Sequence, residues 1–268
     1  MSVAPGTASA GPDRVADPTG VSPRRAARTA RDLLAAAPRR RDSDWDARPR
    51  THEDDLGWAA KRAAVTIAAA MLQACDGDTA THCDDVVHLC DLIAEQLGVY
   101  GTDRAELLAA AQLHDIGKVG IASDVLNKRG PLDDYEWSLI RQHTVVGERI
   151  IRSVAQLEEV GRLVRHSHER WDGRGYPDGL SGEQIPLASR IIFCADTFHA
   201  IRSDRSYRRG RSAQAALKEI ACAAGSQLDS AIVDALVNAA ERLRTTVRSG
   251  AVGLTTTLRS RRLVELLV

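Results

Sequence analysis

The sequence contains no CxxC pair, no apolar run long enough to cross a bilayer and no excess of charge of either sign. Each absence removes a class of protein. The five cysteines (Cys75, Cys83, Cys90, Cys194 and Cys222) are an odd number without metal-binding spacing. A disulfide framework or a zinc knuckle is therefore not expected, and a reducing cytoplasm fits better. The longest apolar stretch, Ala63 to Ala70, is Ala-rich, follows Lys61 and Arg62, and is too short to span a membrane. Lys plus Arg number 36 and so do Asp plus Glu, so no general affinity for nucleic-acid polymers is expected. A small anionic substrate stays compatible, because a local site can be positive in a neutral protein. The first residues lack the apolar core of a signal peptide, and Asp13, Asp17 and Asp32 interrupt the Arg-rich start in a way that argues against a transit peptide. No stretch sustains the alternation of a strand, and no internal repeat is visible.

Residues 1–50 hold six of the nine prolines, ten arginines and almost no large apolar side chains. Such a segment buries too little surface to offset its ordering entropy, so residues 1–52 are expected to be a disordered tail with at most a short helix near Arg24 to Ala37. From about Glu53 the pattern is helical. Helices are expected from Asp54 or Asp55 to Cys75, and from Thr79 to Gly98. A third runs from an Asp103/Glu106 capping box to Gly117. More are expected at 133–142, 144–153, 156–169, 187–203, 212–224 and 229–247. In the second helix Val86, Leu89, Ile93 and Leu97 recur at 3–4 spacing and form one apolar face. The fold class is thus all-α, with a domain over 53–245 and a C-terminal extension over 246–268 that carries a helix near 255–267. Trp58 and Trp137 are expected to pack helices together. Residues 169–186 stand apart. Gly173, Gly175, Pro177, Gly179, Gly182 and Pro186 make them a turn-rich loop, and long ordered loops in helical domains are often functional.

The chemistry starts at His114-Asp115. Imidazole and carboxylate side by side can ligate a divalent metal, and a carboxylate can bridge two metals through its two oxygens. The dipeptide gains meaning from its setting, Leu113-His114-Asp115-Ile116-Gly117-Lys118. Gly117 lets the chain turn, so Lys118 can point back at a bound phosphate. A phosphodiester is anionic and resists attack, and paired cations lower that barrier by activating water and polarising a phosphoryl oxygen.

His114-Asp115-Ile116-Gly117-Lys118 followed by Asp172-Gly173-Arg174-Gly175-Tyr176-Pro177 resembles the HD-GYP family, a branch of the HD metal-dependent phosphohydrolases. Further anchors occur in the family's order over roughly 79–230: His143 with Gly147, His168-Glu169-Arg170-Trp171, Ala195-Asp196 and Asp204-Arg205-Ser206-Tyr207-Arg208. The resemblance implies a helical bundle with two or three divalent metal ions, commonly iron or manganese. The ligands it implies are His82, His114, Asp115, His143, His168 and Asp196. Asp78, one helical turn before His82, is implied as an extra ligand. It implies Asp115 as the bridging carboxylate and Lys118 as the group that offsets charge on phosphate. Arg205 and Arg208 would grip a cyclic dinucleotide, with Tyr176 at the rim.

Two positions depart from the pattern. Ser167-His168 stands where two adjacent histidines are usual, and His199 stands where Asp is usual. His199 is still expected to line the substrate site. On a helix His166 would point about 200° away from His168 and could not replace the missing ligand unless the helix ended there. The implied activity is hydrolysis of cyclic di-GMP to pGpG or GMP. Another cyclic nucleotide is the alternative that His199 favours, and a non-catalytic sensor is the one that Ser167 favours. A second copy of the chain, or a signalling protein, is the expected partner, with the Ala-rich helix at 55–75 as one route of input.

Overall fold

A computed structural model describes residues 52–75, 77–128, 130–204, 209–249 and 258–268. The expected tail helix near residues 24–37 lies outside them. Among the described residues the elements are helical, without a strand. They are α1 (His52–Cys75), α2 (Gly77–Leu97), α3 (Gly101–Leu113), a 3-10 turn (Ile116–Gly120), α4 (Ser123–Leu126), α5 (Asp134–Arg141), α6 (His143–Arg152) and α7 (Glu158–Arg165). A second 3-10 turn (Gly182–Gln184) precedes α8 (Leu187–Arg202), α9 (Ala213–Ala223), α10 (Ser230–Arg248) and α11 (Leu258–Leu267).

The periodic face of α2 makes it the axis of the bundle. Val86, Leu89 and Ile93 are fully buried, and Leu97 nearly so. Around it pack α1, α3, α8, α10 and α11. Gly98, at φ 70°, ends the helix in the left-handed region that glycine enters without strain. α11 belongs to the same core, because Leu263, Leu266 and Leu267 are buried in it.

Three local expectations change. The third helix begins at Gly101, behind a Tyr100 cap that makes no side-chain bond, so Asp103 sits in the first turn instead of capping it. The same helix stops at Leu113, before the motif, and a 3-10 turn carries the chain through Ile116–Gly120. The reason is close packing. A Cβ on Gly117 would lie 1.8 Å from the His143 carbonyl oxygen, so only glycine lets this turn rest on the start of α6. Trp137 is 46% exposed, because α5 is a short helix with no buried residue. The side chain of Trp58 lies outside those described.

Candidate metal centre

Five elements deliver one side chain or more each to a single point. His82 comes from α2. His114 caps the C-terminus of α3, and Asp115 follows it into the 3-10 turn. His143 is the first residue of α6, and Asp196 lies inside α8. His168 follows α7, which ends at Arg165 and not near 169. That early ending frees residues 166–168 from helical geometry. His166 nevertheless turns outward, and its Nε2 meets Asp178 Oδ2 at 3.0 Å. Ser167 is buried, and its hydroxyl donates to the Val164 carbonyl.

The ligand atoms form two groups that share a carboxylate. His82, His114 and Asp115 are one, and Asp115, His143 and His168 are the other, each with its ligand atoms within 4.8 Å of one another. The two oxygens of Asp115 divide the work. Oδ2 lies 3.5 Å from His114 Nε2 and 3.9 Å from His82 Nε2, whereas Oδ1 lies 3.6 Å from His143 Nε2. Asp196 Oδ1 joins the first group, 3.3 Å from His82 Nε2.

The imidazoles are held with lone pairs facing inward. His114 Nδ1 donates to Ala111 O at 2.8 Å, and His143 Nδ1 donates to Ile140 O at 2.7 Å. A carbonyl only accepts, so each Nδ1 carries the proton and each Nε2 is bare in the neutral ring. His143 Nε2 and His168 Nε2 are buried with no hydrogen-bond partner among the described residues. Buried nitrogens without partners are costly, and a cation between them would satisfy both. The donor set therefore fits divalent metal.

The electrostatics agree. Burial, followed by the charge of His143, pushes His168 down to about 3, so its ring is neutral at ordinary pH. Burial also lowers His143. Burial works upward on Asp115, but Lys118 and the surrounding histidines outweigh it and hold the carboxyl well below its ordinary value. His82 is raised, because its hydrogen bond and charge contact with Asp196 outweigh burial. The carboxylates that favour a proton on His82 would favour a metal cation beside it.

Lys118, one 3-10 turn beyond Asp115, places Nζ 2.6 Å from Asp115 Oδ2. Tyr176 stacks on His168 with ring centroids 5.3 Å apart and 14° between planes. The glycine loop fixes this stack. A Cβ on Gly175 would meet Arg170 N at 2.3 Å, so the chain folds tightly back on the Glu169-Arg170 backbone. Asp178 anchors the loop to Arg165 through two 2.7 Å bonds. Arg190 lies over the Trp171 ring at 5.5 Å.

The sequence reading puts His199 at the substrate. In the structure its ring is buried, with Nδ1 2.8 Å from His82 Nδ1 and Nε2 3.0 Å from Asp85 Oδ2. Asp85 in turn receives Arg262 of α11 at 2.5 and 2.7 Å. Burial raises the Asp85 carboxyl, but His199 and Arg262 outweigh it and leave it below its ordinary value. Neither Asp85 nor Arg262 was expected at the site. Asp85 carried a signal, since it lies three residues after His82 on the same helix face. Arg262 is 177 residues from Asp85 and carried none. Arg205 and Arg208 lie outside the described residues, as does the side chain of Asp78, which is part of α2 one turn before His82.

Residues 62–232 match the HD domain family model. The chain belongs to the HD domain family. Within that family its relatives are HD-GYP proteins. The 3'3'-cGAMP-specific phosphodiesterase 3 of Vibrio cholerae is 42% identical over 48% of this chain and 28% of its own length. The cyclic di-GMP phosphodiesterase response regulator RpfG of Xanthomonas campestris pv. campestris is 39% identical over 63% of this chain and 45% of its own. A cyclic di-GMP phosphodiesterase of Thermotoga maritima is 37% identical over 60% and 45%. The chain thus spans less than half the length of these relatives. Among solved structures, the cyclic GMP-AMP specific phosphodiesterase V-cGAP3 of V. cholerae shares the fold with a TM-score of 0.50 and 25% identity, over 70% of this chain and 49% of the other.

Proposed function

We propose that this HD domain hydrolyses a phosphodiester bond of cyclic di-GMP at a centre of two or three divalent metals, iron or manganese, yielding pGpG or GMP. One observation carries the reading. Asp115 presents one oxygen to the His82 and His114 side and the other to the His143 and His168 side. That is the geometry of a carboxylate shared by two cations. His82, His114, Asp115, His143, His168 and Asp196 would hold the metals, with Asp78 as a further ligand. Divalent cations bound there supply Lewis acidity and lower the pKa of water.

The chain's own groups supply the rest. The carbonyl bonds to His114 and His143 preset their tautomers, so no reorganisation is needed when metal enters. Lys118 is tethered beside Asp115 and can meet an anionic phosphoryl oxygen, offsetting charge that grows in the transition state. Tyr176, with Arg141 Cζ 5.9 Å from its ring centroid, forms the rim against which a guanine or ribose can rest. Arg205 and Arg208 are assigned to the substrate phosphates by their motif. The free thiols Cys83, Cys90 and Cys194 suit a reducing cytoplasm.

A second reading has its own support. Relatives named for 3'3'-cGAMP match this chain as well as those named for cyclic di-GMP, so the mixed dinucleotide is the alternative substrate. The test is anaerobic hydrolysis by purified protein loaded with Fe(II) or Mn(II), with both dinucleotides assayed and metal counted on the same sample. Faster turnover of cyclic di-GMP with about two metals per chain supports the first reading, and a clear preference for cGAMP replaces it with the second. Metal-loaded, folded protein that hydrolyses neither overturns both.

A further inference from the structure

The contacts beyond the metal ligands form a continuous chain of hydrogen bonds whose proton positions can be deduced. Asp85 is held as a carboxylate by two bonds from Arg262, and a carboxylate only accepts. The proton between Asp85 Oδ2 and His199 Nε2, 3.0 Å apart, therefore sits on His199 Nε2. A neutral His199 then has a bare Nδ1, which is an acceptor. That nitrogen lies 2.8 Å from His82 Nδ1, so His82 must donate there. His82 is left with Nε2 facing His114, Asp115 and Asp196. The Ser203 hydroxyl, 3.2 Å from His199 Nδ1, does not upset this order, because it donates to the His199 carbonyl at 2.9 Å.

We propose that His199, Asp85 and Arg262 are positioning residues that set the tautomer and orientation of His82, so that the C-terminal helix α11 is an outer support of the metal centre. This inference rests on the metal reading of the site. His114 and His143 find their acceptors in carbonyls of the preceding helical turn. His82 takes its acceptor from α8, and that acceptor is held by Asp85 of His82's own helix, which Arg262 of α11 fixes in turn. Arg202 adds a second tie, donating to the Glu265 carbonyl at 3.0 Å and so joining the end of α8 to α11. The segment from 258 to 268 is thereby keyed to the site by polar bonds, and not only by the apolar contacts of Leu263 and Leu266.

The experiment has two arms. In the first, long-range proton–nitrogen spectra of 15N-histidine-labelled protein, metal-free and zinc-loaded, report each ring's tautomer. His199 is expected as the Nε2–H form in both, and a Nδ1–H form of His199 overturns the proposal. In the second, zinc affinity is measured by chelator competition for the wild type, His199→Leu, His199→Asn and Arg262→Ala. Removing the acceptor in His199→Leu should weaken binding about 10- to 100-fold. His199→Asn puts an amide oxygen in place of Nδ1 and should recover most of that loss, and Arg262→Ala should fall between the two. Equal affinity in the wild type and His199→Leu overturns the proposal. A wild type that binds no metal overturns the metal reading instead, while the tautomer arm still decides the hydrogen-bond order in wild-type protein.

Discussion

At the scale of single residues, Asp115 is the group on which the site converges. It is buried, adjoins three histidines and a lysine, and holds its charge against burial. Asp115→Ala removes an oxygen from both ligand groups at once. Its effect on turnover should exceed the roughly 10- to 100-fold losses typical of outer-shell partners, with metal lost as well. Metal analysis and a dinucleotide assay on the same sample check this, and retained metal with normal turnover would sink the site. Ser167 is instructive in the other direction. Its hydroxyl is spent on the Val164 carbonyl. Its neighbour His166 bonds Asp178 through Nε2, leaves Nδ1 buried without a hydrogen-bond partner among the described residues, and lies in neither ligand group.

At the scale of elements, the site depends on two close approaches of backbone. The first brings Gly117 onto α6. Gly117→Ala would drive a methyl group into the His143 carbonyl. Separating the 3-10 turn from α6 should cost about 1–3 kcal/mol, and it should lower metal occupancy because Asp115 and His143 move apart. A thermal melt alongside metal content tests both effects. The second seats the glycine loop. Its Trp171 lies under Arg190, which pairs with Asp229 at 2.5 Å, and Asp229 also caps α10 by accepting from Ala231 N at 2.9 Å. Asp229→Ala leaves a mostly buried guanidinium unpaired and uncaps a helix, so a loss of about 3–5 kcal/mol is expected in urea denaturation. Asp229→Asn keeps the cap oxygen and should lose less.

At the scale of the whole molecule, the buried histidines make stability depend on pH. His168 titrates near 3 in the folded chain against an ordinary 6.5, and His143 is lowered too. The unfolded chain therefore takes up protons that the folded one refuses, and the metal-free protein should lose stability as pH falls below 6.5. At pH 5.5 the loss from His168 alone is about 1 kcal/mol. His82 is raised, so its own contribution grows as pH falls through its folded value and is fully present only below 6.5; it opposes the His168 loss above that pH and little below it. Denaturation of metal-free protein at pH 6 and pH 5, below the window in which His82 gains stability, measures the slope. Identical stabilities would mean that His168 is not held neutral by burial. Metal loading should flatten the curve until acid strips the ligands.

Most of the fold was written in local pattern. The 3–4 spacing of Val86, Leu89 and Ile93, and the glycine at 98, are properties of neighbouring residues, and the bundle reproduces them. So was the identity of the residues that meet at the centre, because their types and order carry the family's motif. Tertiary structure alone decided which nitrogen of each ring faces inward, since that depends on the carbonyl or ring placed behind it. It also decided that the helix before His168 stops at Arg165, that Trp137 stays in solvent, and that His199 faces Asp85. Arg262 is the clearest case. Nothing near it in the sequence points to a metal site, and it reaches Asp85 only because α11 packs against α2 in the folded core. Local sequence specifies periodicity and chemistry, whereas hydrogen-bond direction and helix ends depend on partners brought together by packing.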